Sequence, residues 1–292
     1  MRVGIYGIKF DDSFIPNIQQ LFNILEQYGW AATIYKPFTK FLSSRVNLGE
    51  KVQTFSNHKE LKEKVDMLFC IGGDGTFLET ILVVRDSGIP VLGINTGRLG
   101  FLANTNRDEI EGAMRDLKDH KYRLQSRSLL TLVTENNLFG EENFALNELT
   151  VHKKDSASMI SIHTYIGDLF LNSYWADGLI ISTPTGSTAY SLSCGGPIMV
   201  PGVRDYVITP IAPHNLNVRP VVVPDDRIIK LKVEGRGRDY LCSLDSRSVA
   251  IDSAVELTIK RAAFEINVVQ TEGQDFLSTM RNKMTWGVDK RN

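Results

Sequence analysis

Met67-Leu68-Phe69-Cys70-Ile71-Gly72-Gly73-Asp74-Gly75-Thr76-Phe77-Leu78 decides the fold of the first part of the chain. Its opening five residues form a fully apolar run of strand length, the next five a glycine-rich turn, and Thr76 to Val84 reads as a helix. A strand that is apolar throughout belongs in a parallel sheet covered by helices on both faces. The flanking sequence repeats the alternation. Val3 to Ile8 reads as a strand, and Ile15, Ile18, Leu21, Phe22 and Leu25 then fall on one helical face. Ser13 is the expected N-cap of that helix and Gly29 its stop. Ala31 to Tyr35 reads as a second strand, Lys36 to Asn57 as a surface loop and His58 to Lys64 as a short charged helix. Ile89 to Ile94 is a further buried strand, and Asp108 to Lys118 the last clear helix of this half.

From about Tyr122 the texture changes. Leu129 to Val133, Ile160 to Tyr165 and Ile228 to Val233 alternate or run apolar over strand lengths. Turn-forming residues separate such segments, as at Gly167-Asp168 and Gly235-Arg236-Gly237. This half is expected to be mainly β, and Gln274 to Met284 is expected to be a final helix packing back on the first domain. The expected division is 1–121, 122–270 and 271–292.

Composition narrows the functional classes. The 292 residues are 42% hydrophobic and 23% charged, the mix of a folded, soluble protein. A formal net charge of −1, with Lys and Arg spread along the chain, gives no nucleic-acid footprint. Apolar runs fall far short of the roughly 20 residues that span a bilayer, and no signal peptide is evident. Cys70, Cys194 and Cys242 are an odd, scattered set without a CxxC, as expected of reduced thiols in the cytoplasm. The five histidines show no zinc spacing.

The glycine-rich turn carries the first chemical signal. Its glycines permit close backbone approach to a phosphate, and the following helix N-terminus favours an anion. Asp74 adds like charge there, which makes sense if it faces a hydroxyl or a metal ion. The same spacing also fits a plain strand-to-helix turn in which Asp74 caps the helix. Neither an ordinary P-loop nor a GxGxxG dinucleotide turn is present. The second signal is Asp177-Gly178-Leu179-Ile180-Ile181-Ser182-Thr183-Pro184-Thr185-Gly186-Ser187-Thr188-Ala189-Tyr190. Its hydroxyls and amides can bond a base or phosphate, and Tyr190 can stack on a flat ring. It also fits a hydroxyl-rich loop that ends in a helix cap.

Together these stretches resemble the NAD kinase family. Further matches are the pair Asn147-Glu148, the tail Ser191-Leu192-Ser193-Cys194-Gly195-Gly196-Pro197, Asn95 to Leu102, and Ala212-Pro213-His214 followed by Arg219-Pro220. The resemblance runs from the first strand to about Val269. Lipid kinases and phosphofructokinases share the GGDGT turn but not the hydroxyl-rich stretch or the Asn-Glu pair. A dinucleotide sensor without activity is a third reading, against which the intact Asp74, Gly75 and Asn147 stand.

The resemblance implies an α/β N-terminal domain with a parallel sheet of Rossmann or phosphofructokinase-like type, and a mainly-β C-terminal domain built as a β-sandwich. It implies phosphorylation of the 2′-hydroxyl of the adenosine ribose of NAD, giving NADP, with ATP and Mg²⁺. Asp74 would be catalytic and face that hydroxyl; Gly75 would approach the dinucleotide backbone, and Gly72, Gly73 and Thr76 would form the phosphate loop. Phe101 would lie beside the adenine pocket, and Asn147 and Glu148 would contact the adenosine. Thr185, Thr188, Ala189, Tyr190, Ser191, Leu192 and Ser193 would line the adenine and nicotinamide subsites, with Asp177 at the nicotinamide end. Ala212 would complete a neighbouring subunit's site, implying a dimer or tetramer. Mg²⁺ would be held mainly by the donor's phosphates rather than by a protein site. Two positions depart from the family pattern: Trp175 stands where many bacterial members have Arg, and Asp245-Ser246-Arg247 where they have Asp-Gly-Gln. Phosphoryl transfer draws its catalysis from positioning and charge neutralisation. An aspartate is a weak base for a sugar hydroxyl, so Asp74 would orient the hydroxyl and take its proton late.

Overall fold

Strand runs without a polar face form a sheet that needs cover on both sides, and this is the architecture of the first unit. The structure is a computed structural model that describes residues 1–49, 52–154, 159–235 and 240–286. The chain divides into one unit of Met1–Ser126 with Ile266–Asn292 and a second of Arg127–Glu265. In the first, β1 (Arg2–Gly7), α1 (Ile15–Gln27), β2 (Ala31–Tyr35), α2 (Lys36–Leu42), β3 (Gln53–Phe55), α3 (His58–Leu61), β4 (Met67–Ile71), α4 (Asp74–Val84), β5 (Val91–Ile94) and α5 (Ile110–Lys118) follow one another. The strands pair in parallel in the order β3-β2-β1-β4-β5. Strand order reverses between β1 and β4, so the carboxyl ends of these two strands mark the switch point where doubly wound sheets bind ligands. All five residues of β4 are buried. Ile5, Phe69 and Leu92 of the sheet share one core with Leu21 and Leu25 of α1 and Met114 and Leu117 of α5.

Two expectations are corrected here. The stretch after Tyr35 is not a loop throughout: Lys36 and Pro37 open α2, which buries Phe38 and Leu42 at i, i+4 spacing, and β3 adds a three-residue strand to the sheet. Ser13 does not cap α1. Asp11 does the capping, accepting the Ser13 N–H at 3.0 Å to open a short 3₁₀ turn that leads into the helix. Gly29 closes α1 as expected, with φ +65° and the Trp30 N–H returning to Leu25 O at 2.9 Å.

The second unit is built from antiparallel strands. They are β6 (Tyr122–Val133, from Arg127 onward), β7 (Phe144–Ala145), β8 (Glu148–Lys153), β9 (Ile160–Ile166), β10 (Leu169–Ala176) and β11 (Gly178–Ser182). A one-turn helix α6 (Tyr190–Ser193) precedes β12 (Asp205–Ile211), β13 (Val221–Pro224), β14 (Ile229–Glu234), β15 (Tyr240–Leu244), β16 (Arg247–Ile251) and β17 (Leu257–Thr271). One sheet runs β13-β12-β11-β8-β15-β16; the other carries β10-β9-β14-β17, with β6 beside β17 and β7 beside β6. Inner-face residues of both sheets, Val151, Leu179, Ile181 and Ile208 against Ile162, Leu231 and Ile259, make one apolar core. That is a β-sandwich, as expected. Gly167 turns the chain with φ +60°, whereas Arg236 and Gly237 lie outside the described residues. The last part of β17 belongs to the first unit, where Val268 pairs in parallel with Val91 of β5, and α7 (Phe276–Met284) follows in the same unit. No helix among the described residues is long and apolar enough to cross a membrane.

Candidate functional site

At the carboxyl end of β4 the chain turns through Gly72 and Gly73 into α4. Gly73 occupies the N-cap and Asp74 is the first helical residue, so Asp74 is not the cap that the bare spacing allowed. Its carboxylate reaches away from its own helix. Oδ2 accepts the Phe101 N–H at 2.9 Å, and Oδ1 accepts those of Leu102 and Ala103 at 3.0 Å each. The loop after β5 is shaped to offer these donors. Asn95, 2% exposed, donates from Nδ2 to Ala103 O at 3.1 Å and accepts the Gly97 N–H at 2.6 Å, folding residues 96–103 back on themselves. Gly100 permits the close approach, since a Cβ there would lie 2.7 Å from Asp74 Cγ. The Asn95–Leu102 motif is thus the clasp of Asp74.

Gly73 and Gly75 differ from Gly100. Neither has a positive φ, and a Cβ on either would meet nothing within 4 Å. Packing inside the protein does not require glycine at these two places. A ligand whose phosphates came up against the backbone would. Phe101 packs its ring on Phe276 of α7 at 5.8 Å between centroids, and Lys283 of the same helix stands 3.7 Å from Asp74 Oδ2. Neither partner was legible in the sequence.

In the second unit the Asn147-Glu148 pair and the hydroxyl-rich stretch are directly bonded. Thr183 donates its N–H to Asn147 O at 2.9 Å and its hydroxyl to Leu146 O at 2.5 Å, then accepts the Gly186 N–H at 3.2 Å. A Cβ on Gly186 would stand 2.5 Å from the Asn147 carbonyl carbon. Ser187 donates to Pro184 O at 2.7 Å and accepts the Met199 N–H at 2.9 Å, Thr188 donates to Thr185 O at 3.2 Å, and Ser191 pairs with Thr209 at 2.8 Å. Most hydroxyls of the stretch therefore hold its own turns in shape. Thr185 is buried, its Oγ1 3.5 Å from Arg127 Nη1. Ala189 and Leu192 are half-buried, while Tyr190 and Ser193 are exposed.

Asp245 underlies the pair. At the β15–β16 turn, with φ +51°, its carboxylate accepts the N–H groups of Leu146, Asn147 and Glu148 at 2.9, 2.8 and 3.2 Å. Burial, and next the charge of Asp245, push the Glu148 carboxyl up to about 8, and its Oε2 is buried without a hydrogen-bond partner among the described residues. Burial pushes Asp245 up as well, but its three N–H donors and Arg247 oppose that. Arg247 donates to the carbonyls of Glu142 and Phe144 and lies over the Phe144 ring, so its guanidinium serves the protein's own backbone. Asp177 pairs with Lys153 at 2.6 Å, and the Trp175 ring lies 4.7 Å from that of His214. Ala212 is exposed and takes φ +44°, a conformation that disfavours a Cβ.

Residues 30–122 match the ATP-NAD kinase N-terminal domain and residues 146–271 the ATP-NAD kinase C-terminal domain. An NAD kinase of Flavobacterium psychrophilum is 49% identical over 294 residues, covering 100% of both chains, and one of Cytophaga hutchinsonii is 46% identical over 293, again covering 100% of both. An NAD kinase of Porphyromonas gingivalis is 38% identical over 290 residues, or 99% of each chain. Among solved structures, yeast NADH kinase complexed with NADH superposes with a TM-score of 0.87 at 22% identity, covering 99% of this chain and 89% of that one. An Archaeoglobus fulgidus NAD kinase in complex with ATP superposes at 0.72 and 23% identity, covering 98% of each. At those identities the two structures speak for the fold. The two domain matches and the full-length relatives together show that the chain belongs to the ATP-NAD kinase family.

Proposed function

We propose that this chain transfers the terminal phosphoryl group of ATP to the 2′-hydroxyl of the adenosine ribose of NAD, giving NADP. Relatives that are NAD kinases over their whole length support the reaction. The observation that carries the assignment of residues is the Asp74 carboxylate, pinned by three backbone N–H groups beside two glycines that packing does not explain. A carboxylate has about four lone-pair sites. Oδ1 uses both of its own on Leu102 and Ala103, whereas Oδ2 spends one on Phe101 and keeps one for a substrate hydroxyl. In this reading Asp74 orients the 2′-hydroxyl and takes its proton as the new bond to phosphorus forms.

Gly72, Gly73, Gly75 and Thr76 then admit the phosphates, and Phe101 flanks the adenine. Asn147 and Glu148 hold the adenosine; Thr188, Ala189, Tyr190, Leu192 and Ser193 line the base subsites, and Thr185 and Ser191 shape the turns that carry them. Asp177 belongs to the nicotinamide end. Trp175 and Arg247 lie where the family's pattern differs, and the bonding of Arg247 to two carbonyls favours a structural task for it. Among the described residues no three His, Cys, Asp or Glu side chains are grouped to hold a metal. The proposed Mg²⁺ comes with the phosphates, where it would offset their charge. Free Cys70, Cys194 and Cys242 favour a reducing compartment such as the cytoplasm. Exposed apolar side chains at Leu169, Phe170 and Leu216, together with the strained Ala212, favour a dimer or tetramer. NADP formation by the purified protein from NAD, ATP and Mg²⁺ tests the proposal, and its absence would reject it.

A further inference from the structure

Helix α7 brings a cation to the glycine-rich turn from the other end of the chain. Lys283 stands in its last turn, where a lysine ordinarily serves the helix's own carbonyls. Here the ammonium points elsewhere. Nζ lies 3.7 Å from Asp74 Oδ2 and 4.8 Å from the centroid of the Phe101 ring. The helix is anchored for that approach. Asp275 caps it by accepting the Ser278 N–H at 2.9 Å, Gln274 donates to Thr105 Oγ1 at 3.2 Å, and Phe276 packs on Phe101. Thr285 then ends it with φ +54°.

The turn itself supplies no cation. Ile71-Gly72-Gly73-Asp74-Gly75-Thr76-Phe77-Leu78-Glu79-Thr80 contains two carboxylates and neither Lys nor Arg. Phosphoryl transfer depends on neutralising charge on the moving group, and a helix N-terminus offers only about half a unit charge. Lys283 has the capacity. At 3.7 Å its contact with Asp74 is longer than a hydrogen bond, and its side chain is 36% exposed. Ion pairs of that kind add little to stability, so holding α7 in place is a weak account of the ammonium.

We propose that Lys283 is a catalytic residue that binds the transferred phosphoryl group, supplying the cation that the glycine-rich turn lacks. The assignment rests on Asp74 as the partner of the ribose hydroxyl. An attacking oxygen stands about 3–3.5 Å from its phosphorus, so the phosphoryl oxygens come within reach of an ammonium already at Asp74. The 2′-oxygen forms its bond to the terminal phosphorus, the bond from phosphorus to the ADP oxygen breaks, and the hydroxyl proton goes to Asp74. Lys283 contributes charge and N–H donors to this step and exchanges no proton in it.

Lys283→Gln is expected to lower kcat for NADP formation about 10²–10³-fold, the usual cost of one donor aimed at developing charge. The KM for NAD should stay within about threefold, a shift of well under 1 kcal/mol. Lys283→Arg disturbs the same packing on Phe101 but keeps the charge, and its kcat should exceed that of the Gln variant by about tenfold or more. Because both variants lose the native contact, any partial loosening of α7 cancels in that ratio. Equal kcat in the two variants, or a Gln variant at wild-type kcat, overturns the proposal. Asp74→Asn measured alongside separates the two assignments. Wild-type kcat in Asp74→Asn removes the reading on which Lys283 depends, whereas wild-type kcat confined to Lys283→Gln removes Lys283 alone.

Discussion

Asp74→Asn removes a charge while leaving the shape, and the hydrogen bonds set what it should cost. An asparagine oxygen turned to Leu102 and Ala103 keeps the two bonds made by Oδ1, but its NH₂ then faces the Phe101 N–H, donor against donor. One charge-assisted bond, ordinarily worth about 1.5–3 kcal/mol, is lost. The ion pair with Lys283 adds about 0–1 kcal/mol, since both groups are about a third exposed. The clasp on residues 101–103 is thus loosened by about 1.5–4 kcal/mol, and a melting midpoint lowered by roughly 3–16 °C is expected if global unfolding feels all of it.

The same figure separates two roles for the side chain. If Asp74 only shapes the loop, saturating substrate restores the closed form; KM for NAD rises about 10- to 900-fold and kcat recovers. If Asp74 also orients the hydroxyl and takes its proton, kcat itself falls about 10²–10⁴-fold at saturation. Initial rates of NADP formation over a full grid of NAD and ATP concentrations, with melting curves in the presence of NADP, distinguish the cases. A kcat within about threefold of wild type, below any general-base contribution, with the loss confined to KM, would refute the catalytic assignment.

Gly75→Ala should raise stability by about 0.5–1 kcal/mol, because the residue is helical and its Cβ would meet nothing, yet cut activity about tenfold or more by standing in the ligand's way; a fully active variant would mean that no ligand approaches there. Glu148→Gln should flatten the pH dependence of stability. The folded protein holds the Glu148 proton up to about pH 8 whereas the unfolded chain releases it near the ordinary 4.5, so stability is fully present below 4.5 and falls as pH rises through that window. Parallel melting curves for wild type and variant between these limits would show that Glu148 is not the cause. Chelation of divalent ions should stop turnover without lowering the melting midpoint of the nucleotide-free protein, and a lowered midpoint would reveal a metal held by the chain.

What could be read from the sequence follows from what each element buries. β4 was unmistakable because a central parallel strand has no solvent face, and its five buried residues read as one apolar run. The helix α2 and the strand β3 were hidden for the opposite reason. β3 buries only Phe55, and α2 starts directly from the end of β2 on a proline without a side-chain cap. At the site, local motifs were legible and their partners were not. The donors that hold Asp74 are backbone N–H groups 27 to 29 residues away, and any residue but proline supplies one. Only Gly100 left a trace, because a close approach forbids a side chain. The hydroxyls of Ser182–Thr188 were read for the bonds they might give a ligand, whereas most of them close the loop's own turns.

The clasp answers the question that the sequence raised about Asp74, namely why a carboxylate stands in a turn made for phosphate. Three N–H groups from the neighbouring loop meet its charge, so the helix N-terminus is left to attract an anion with less opposition. Fixed from two sides, the carboxylate cannot swing to follow the substrate. Under the proposed function it offers one lone-pair direction at a set place, and the hydroxyl would have to come to it. That would be positioning done before binding, at no cost in reorganisation as the phosphoryl group moves. It also explains why the loop after β5 carries so little side-chain chemistry of its own. Asn95 and Gly100 shape the backbone, and the backbone then holds the one side chain whose direction matters.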